Sequence, residues 1–485
     1  MKNRRAFVDF KSDKKANEFR EVGNAKYTKR EYMAALIAYN KSIAYACTKN
    51  ALSLGYANRS AAFLELECYD ECLKNIEWAR NIGYPEDKLS KLEEREQKCK
   101  KLRLKGRNNK NEDPWEFFKL SYPANKKIPW IVDRLEVRTT EKYGRGIYAT
   151  KDLKAGDIIC IEDPVISFLE GNHFYKHCNN CSKSCMMNLI PCNHTASMMF
   201  CSNECMENFY SKFPDILLSL NDDMKLLSEI AAPFEGYAQL DDLISKTDMK
   251  QLNKTIFDYD LSNHQDPEYR KKLMTCLLSL QPKSDHIVDE RSNVIFNHVS
   301  KKTAHHILSI VPNNCSGTYY LDGEVSVPFV AGSKISLFKS LINHSCLRNI
   351  QMVGINDKIA IVVMKPIKAG EQIFDCYYDK YSFTHDQNRD QMMKQYNFKC
   401  DCEECVNNSF KLNMSVTSYP CLFMTRKHFI TARDILKSGW NHINFNKNPQ
   451  KNFDKELMNT LILCTLGYYA TFPCENDSHS IFPFM

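Results

Sequence analysis

The stretch Ser336–Tyr378 reads SLFKSLINHSCLRNIQMVGINDKIAIVVMKPIKAGEQIFDCYY. Ile350–Val353 and Ile359–Met364 are rich in branched apolar residues and flank a turn, the pattern of two strands. Lys368-Ala369-Gly370-Glu371-Gln372 makes a further turn, and Ile373–Tyr378 reads as another strand. Ahead of them stands Asn343-His344-Ser345-Cys346. Beyond Tyr378 the chain reads FKCDCEEC, Phe398–Cys405, a C-x-C-x-x-C pattern. Three thiolates are one short of a tetrahedral zinc site, and the spacing alone leaves the fourth ligand open.

The chain has 485 residues, enough for about three domains. An apolar content of 43% supports real cores, and a net charge of +7 over this length does not indicate a nucleic-acid partner. The basic start, MKNRRAFVDFKSDKK, has no apolar run behind it, and no stretch approaches membrane-spanning length. A soluble, cytoplasmic and/or nuclear monomer is expected. In that reducing setting the 21 cysteines are thiols and metal ligands rather than disulfides. Ten of them fall between 178 and 205 or at 346, 400, 402 and 405, and that clustering favours metal sites.

Residues 178–205 read CNNCSKSCMMNLIPCNHTASMMFCSNEC. A C-x2-C turn presents two sulfurs to one metal, and a second pair about 20 residues on completes a tetrahedron. Cys178, Cys181, Cys201 and Cys205 are therefore expected to bind zinc.

Toward the N-terminus, Phe19, Val22 and Gly23 fit one helix and Tyr32, Ala35 and Tyr39 a second. The pattern returns at Tyr56, Tyr69 and Cys72, and the small Ala35 and Cys72 let paired helices approach closely. With the G-N pair and Y-x-N-R-S-A, the segment resembles tetratricopeptide repeats, which stack into a peptide-binding surface. Arg20, Asn24 and Asn58 resemble part of the clamp by which some repeats hold chaperone C-termini. A third basic helix is expected over about 87–104, followed by a polar linker. Lys98–Lys110 reads as a solvated helix end.

Between linker and cysteines, EVRTTEKYGRGIYATKDLKAGDIICIEDPVIS suggests strands Ile147–Thr150 and Ile158–Glu162, with Lys154–Asp157 turning between them. Gly144-Arg145-Gly146 is a tight loop where backbone can approach a ligand.

Taken together, Asn343-His344-Ser345-Cys346, G-E-Q-I-x-x-x-Y and the post-core cysteines resemble a SET methyltransferase over roughly residues 130–405. With the cysteine-rich insert and the repeats, the chain resembles the SET and MYND domain family, in its branch with N-terminal tetratricopeptide repeats. The resemblance implies an α+β fold whose β-rich SET domain is interrupted by a zinc finger and a helical insert. The implied order is helical repeats over 1–106, first SET part 130–177, MYND-like finger 178–210, helical insert 211–320, SET core 321–380, post-SET zinc segment 381–406 and a short helical region 407–485. Two helices are expected in the last part, about 426–438 and 453–471.

The same resemblance implies a protein-lysine N-methyltransferase using S-adenosylmethionine on a protein substrate. Cys346 would be the fourth ligand to the zinc of Cys400, Cys402 and Cys405. Tyr143, Gly144, Arg145, Gly146, Asn343, His344, Tyr377, Tyr396 and Phe398 would contact the cofactor, with Tyr377 lining the methyl-transfer site. The chain departs from the family at several places. Thr195 replaces a ligand of the finger's second zinc, which is expected to be lost although Cys192 remains. Arg348 stands where Pro is usual, and Tyr378 where Gly is usual. These departures support an alternative, a SET-fold adaptor that binds peptides or chaperones through its repeats.

Overall fold

The computed structural model describes residues 9–105 and 119–406, apart from 155–156, 170–172, 183–187, 213–221, 248–252, 284–292, 321–328, 347, 356–357, 364–365, 378–395, 397 and 403–404. It adds two short strands, Phe423–Met424 and Ser480–Ile481. The helices expected at 426–438 and 453–471, and Tyr378, lie outside the described residues. No helix among the described residues is long and apolar enough to cross a membrane.

Five helices open the chain: α1 Asp13–Thr28, α2 Tyr32–Tyr45, α3 Lys49–Glu65, α4 Tyr69–Ile82 and α5 Leu89–Lys105. Ser12 and Thr48 start α1 and α3, their hydroxyls accepting from the N–H groups of Lys15 and Ala51. Gly83 ends α4 at φ +102°, a left-handed cap that glycine adopts without strain. Ala35 and Cys72 are fully buried, as the spacing suggests. At Gly23 a Cβ would lie 2.4 Å from the Tyr39 ring, so glycine sets how closely α1 meets α2.

Arg59 on α3 is wholly buried. Its guanidinium donates to Asn75 Oδ1 at 2.7 Å, Asn40 Oδ1 at 2.6 Å, the Leu189 carbonyl at 2.7 Å and Asn188 Oδ1 at 3.2 Å. Tyr56, Phe63 and Trp78 surround it. Asn188 and Leu189 belong to the cysteine-rich insert, so one buried cation ties the insert to α2, α3 and α4. A second tie joins the insert to the chain start, where Ala196 N–H donates to the Asp9 carbonyl at 2.9 Å. Arg59→Ala is expected to cost about 3–5 kcal/mol, because it strands several buried oxygens at once. Thermal denaturation checks this, and a shift no larger than that of a surface alanine substitution would contradict it.

In the β-rich part, β1 Leu135–Thr140 pairs antiparallel with β2 Gly144–Ala149. β3 Ile158–Glu162 pairs with β11 Lys358–Val363, which also pairs with β10 Ile350–Ile355. Of the expected Lys154–Asp157 turn, the described ends are joined by Lys154 N–H donating to Asp157 Oδ2 at 2.6 Å, and Ala155 and Gly156 lie outside the described residues. The turn does not close a hairpin, however: the strands it joins pair with β1 and β11 instead of each other. The reason is that Ile158, Ile159 and Cys160 are all buried, so β3 sits inside the core and not at a solvated hairpin.

A third sheet orders β4 Ile166–Leu169, β8 Phe329–Ile335 and β7 Cys315–Tyr320. Between β4 and β7 lie the short pair β5 Ile190–Pro191 and β6 Met199–Phe200, then helices α6 Asn203–Lys212, α7 Asp222–Ala231, α8 Tyr237–Lys246, α9 Tyr269–Leu278, α10 Asn293–Phe296 and α11 Lys301–Asn314. The strand expected over Ile373–Tyr378 shrinks to β12, Phe374–Asp375, which runs parallel to β9, Asn343–His344. Asn349 explains the shortening. Its side chain accepts from Phe374 N–H at 2.8 Å and donates to the Gln372 carbonyl at 2.9 Å, taking the place of a partner strand.

Candidate active site and metal centres

Among the described residues two sets of four cysteines form, and they are the two that the sequence suggests. In each, the sulfurs all lie within 4.8 Å of one another. Cys178–Cys205 and Cys346–Cys405 approach to 3.5 Å, Cys181–Cys201 to 3.8 Å and Cys346–Cys400 to 3.9 Å. A tetrahedron with Zn–S of about 2.3 Å needs sulfurs about 3.8 Å apart. The donor sets therefore fit zinc, and the fold brings Cys346 across 54 residues to Cys400.

Where the insert's second metal would lie, other chemistry is in place. Cys192 is buried, and its sulfur meets the Tyr210 hydroxyl at 3.1 Å. That hydroxyl also accepts from Asn193 N–H at 3.2 Å. Phe200, Phe209, Tyr210 and His194 pack ring against ring around it. Tyr210 thus joins the Cys192 turn to α6.

A cavity of about 880 Å³ lies between the glycine loop, the end of α11, β9 and the segment before Cys400. Tyr143, Gly144, Arg145, Asn343, His344 and Tyr377 line it, and so do Tyr396 and Phe398. Gly146 is not on the wall. A Cβ there would lie 2.3 Å from Gln372 Nε2 and 2.8 Å from Asn343 Nδ2, so glycine lets both amides close on the loop. Asn343 Nδ2 donates to the carbonyls of Tyr143 at 3.1 Å and Arg145 at 2.8 Å. Both of its donors therefore shape the loop.

His344 joins the metal set to Tyr377. Its Nδ1 accepts from Tyr377 N–H at 3.0 Å, and its Nε2 lies 3.5 Å from Cys346 Sγ. The Tyr377 hydroxyl donates to the Ile342 carbonyl at 2.8 Å. Burial raises its pKa, which keeps the hydroxyl protonated as a donor. The rings of His344, Tyr396 and Phe398 stand 5.2, 4.8 and 6.4 Å from its own. Asp375 is also buried. Burial raises its pKa, and the charges of Lys339 and Arg348 oppose that rise.

The short turn entering β9 is held from behind. Glu162 accepts from Phe338 N–H at 2.9 Å and from Lys339 N–H at 3.3 Å. Complete burial pushes its pKa up to about 7 against these backbone donors. Across the cavity mouth, Lys142 pairs with Asp401 at 2.9 Å, joining the glycine loop to the metal segment.

Four side chains on the cavity wall carry a buried polar atom with no hydrogen-bond partner among the described residues: Arg145 Nη1, Asn313 Oδ1, Ser340 Oγ and Gln372 Nε2. Buried polar atoms are rarely left unmatched. Two donors, one acceptor and one hydroxyl call for a ligand that carries both donors and acceptors. Only Arg145 of the four is evident from the sequence. Gln372 lies inside the G-E-Q-I motif, a signal that could have pointed to it. Asn313 reads as an ordinary helix end, and Ser340 carries no motif.

A family model for the SET domain matches residues 144–378. The protein-lysine N-methyltransferase SMYD4 of Pongo abelii is 22% identical over 81% of this chain and 67% of its own length. Over residues 144–378 the chain is similar to SET domains, and over most of its length it is similar to a protein of the SET and MYND type. SMYD4 of Danio rerio is 27% identical over 42% of this chain, and N-lysine methyltransferase SMYD2-A of Xenopus laevis is 35% identical over 26%. The match covers only 29% of the length of each of these last two relatives. A solved SET domain of LSMT bound to lysine and AdoHcy aligns over 71% of this chain and 86% of its own, at 9% identity and a TM-score of 0.23. The segment matched by the SET-domain model runs from the glycine loop at Gly144 past Tyr377, and so includes most of the cavity wall.

Proposed function

We propose that this chain is a protein-lysine N-methyltransferase that uses S-adenosylmethionine. The observation that carries the reading is the cavity itself. It gathers Asn343, His344 and Tyr377 beside four unmatched polar atoms of mixed donor and acceptor character. S-adenosylmethionine has an ammonium, a carboxylate, ribose hydroxyls and an adenine, so it offers partners of both kinds. When bound, it supplies an electrophilic methyl group.

The chain's own residues do the rest. Tyr143, Gly144 and Arg145 line the loop side of the cavity, with Asn343 holding the loop's carbonyls. Tyr396 packs tilted and Phe398 edge-on against the Tyr377 ring. Tyr377, fixed by Ile342 and His344, orients the acceptor amine of a protein substrate. Methyl transfer to an amine is an in-line displacement that needs alignment and no covalent intermediate.

Calorimetric titration with S-adenosylmethionine tests this reading. We expect micromolar binding in the zinc-loaded protein and a loss of at least about tenfold in Asn343→Ala, whose glycine loop loses both anchors. No binding at millimolar cofactor would overturn the reading.

The paired N-terminal helices are read as tetratricopeptide-like repeats with a separate peptide site. Asn58 Nδ2 donates to Asn24 Oδ1 at 2.8 Å, and the Tyr39 hydroxyl donates to the same oxygen at 3.0 Å. Arg20 and Arg95 both act electrostatically on Tyr39 and Tyr84, so two cations flank this polar centre. An acidic peptide with a free C-terminal carboxylate, as at chaperone C-termini, suits it. Fluorescence anisotropy with such a peptide should show binding that weakens severalfold in Asn58→Ala. An unchanged affinity for the amidated peptide would refute the carboxylate reading. A monomer in the cytoplasm and/or nucleus completes the proposal.

A further inference from the structure

We propose that Lys339 is a methyl acceptor within its own chain, an inference that rests on the methyltransferase reading. Lys339 begins the one-turn 3₁₀ helix Lys339–Leu341, four residues ahead of Asn343. Its backbone is fixed by the N–H that Glu162 accepts. Its side chain lines the same cavity as Asn343, His344 and Tyr377. The ammonium stands 5.7 Å from the centre of the Tyr377 ring, within cation–π range.

No carboxylate of the described residues forms an ion pair with this ammonium. Asp375 is near enough to feel its charge, yet Asp375 Oδ1 accepts from Cys376 N–H instead. The ammonium is thus set on the tyrosine that an acceptor amine must meet, with no ion pair holding it elsewhere. His344, Tyr396 and Phe398 also pack against that ring. The tether matters too. An amine held four residues from Asn343 reaches the site without an encounter step, the condition under which intramolecular reaction gains most.

The step balances without a further reactant. Lys339 Nζ first releases a proton to solvent. Its lone pair then forms the N–CH3 bond as the methyl–sulfur bond of S-adenosylmethionine breaks, and the electron pair stays on sulfur, which leaves as the neutral thioether. The new secondary ammonium carries the positive charge that the sulfonium loses.

The test combines three measurements on the zinc-loaded full chain. Calorimetry first establishes cofactor binding. Tandem mass spectrometry after incubation with S-adenosylmethionine then looks for one methyl increment on Lys339. The mark should appear at a rate independent of protein concentration. It should be absent from a Tyr377→Phe copy mixed with wild type, since that copy keeps Lys339 but cannot mark itself. The third readout needs no turnover. Acetic anhydride labelling of Lys339 should fall severalfold when S-adenosylhomocysteine is added, while the exposed Lys100 labels equally in both states.

Methylation of other proteins, or cofactor binding, together with an unmarked Lys339 would overturn this inference and leave the enzyme reading intact. Equal labelling of Lys339 with and without S-adenosylhomocysteine would overturn it as well. A protein that binds no cofactor would sink both readings, and the calorimeter separates that case from the others.

Discussion

Cys402→Ser will lose its metal from the set formed with Cys346, Cys400 and Cys405, and with it at least about a hundredfold in affinity for S-adenosylmethionine. The argument starts from the sulfurs. Cys346 lies two residues past His344, and its thiol faces both Cys400 and Cys405. Metal ligation at this set fixes the segment that carries Tyr396 and Phe398 against the SET core. Without it, the described contacts of that segment include its ring contacts with His344 and Tyr377 and the exposed Lys142–Asp401 pair, and exposed pairs contribute little. The loss also reaches Tyr377 through His344, whose two ring nitrogens face Cys346 and the Tyr377 backbone. The matching change at the finger, Cys201→Ser, should leave cofactor affinity within a few-fold of wild type, because that set lies off the cavity. Zinc content by atomic absorption and titration of both variants provide the check. Undiminished affinity in metal-depleted Cys402→Ser would refute the coupling.

Tyr377→Phe should lower single-turnover methyl transfer by about 10²–10⁴-fold, the range typical of one positioned polar catalytic group. Cofactor affinity should change little, because the ring and its contacts with His344, Tyr396 and Phe398 remain. The lost hydroxyl leaves the Ile342 carbonyl without its donor, a stability cost of about 1 kcal/mol. The prediction is therefore a split between rate and binding. Tritiated cofactor in single-turnover mode gives the first and calorimetry the second. Turnover within tenfold of wild type would remove Tyr377 from the reaction.

Much of this arrangement is legible from residue type and spacing. Seven cysteines at C-x2-C, C-x3-C and C-x-C-x2-C spacing name two sulfur-rich clusters before any fold is known, because short loops bring such thiolates to one ion; the eighth, Cys346, follows from the family resemblance and is brought in by the fold. The 37-residue return of aromatic and small residues likewise marks paired helices, since Ala35 and Cys72 are needed where helix backbones meet. Strand identity was also readable at Ile350–Val353 and over the described part of Ile359–Met364. Strand partners were not. The Lys154–Asp157 turn invites a hairpin, yet β3 pairs with β11, because pairing follows burial on both faces and a local turn does not report burial.

The chemistry of the site divides the same way. Sequence alone determined which residues carry reactive or ligating groups: the eight thiols, Asn343, His344 and Tyr377. Tertiary structure alone decided their duties. Asn343 uses both amide donors on loop carbonyls, which no motif states. Arg59, silent in the sequence, is the buried cation that joins helices to insert. Arg145, Asn313, Ser340 and Gln372, far apart along the chain, become one set of unmatched polar atoms, and Lys339 becomes the ammonium on the Tyr377 face. The physical reason is that a side chain's type fixes what it can donate, accept or ligate, while its role depends on which partners the fold brings within about 3 Å and shields from water.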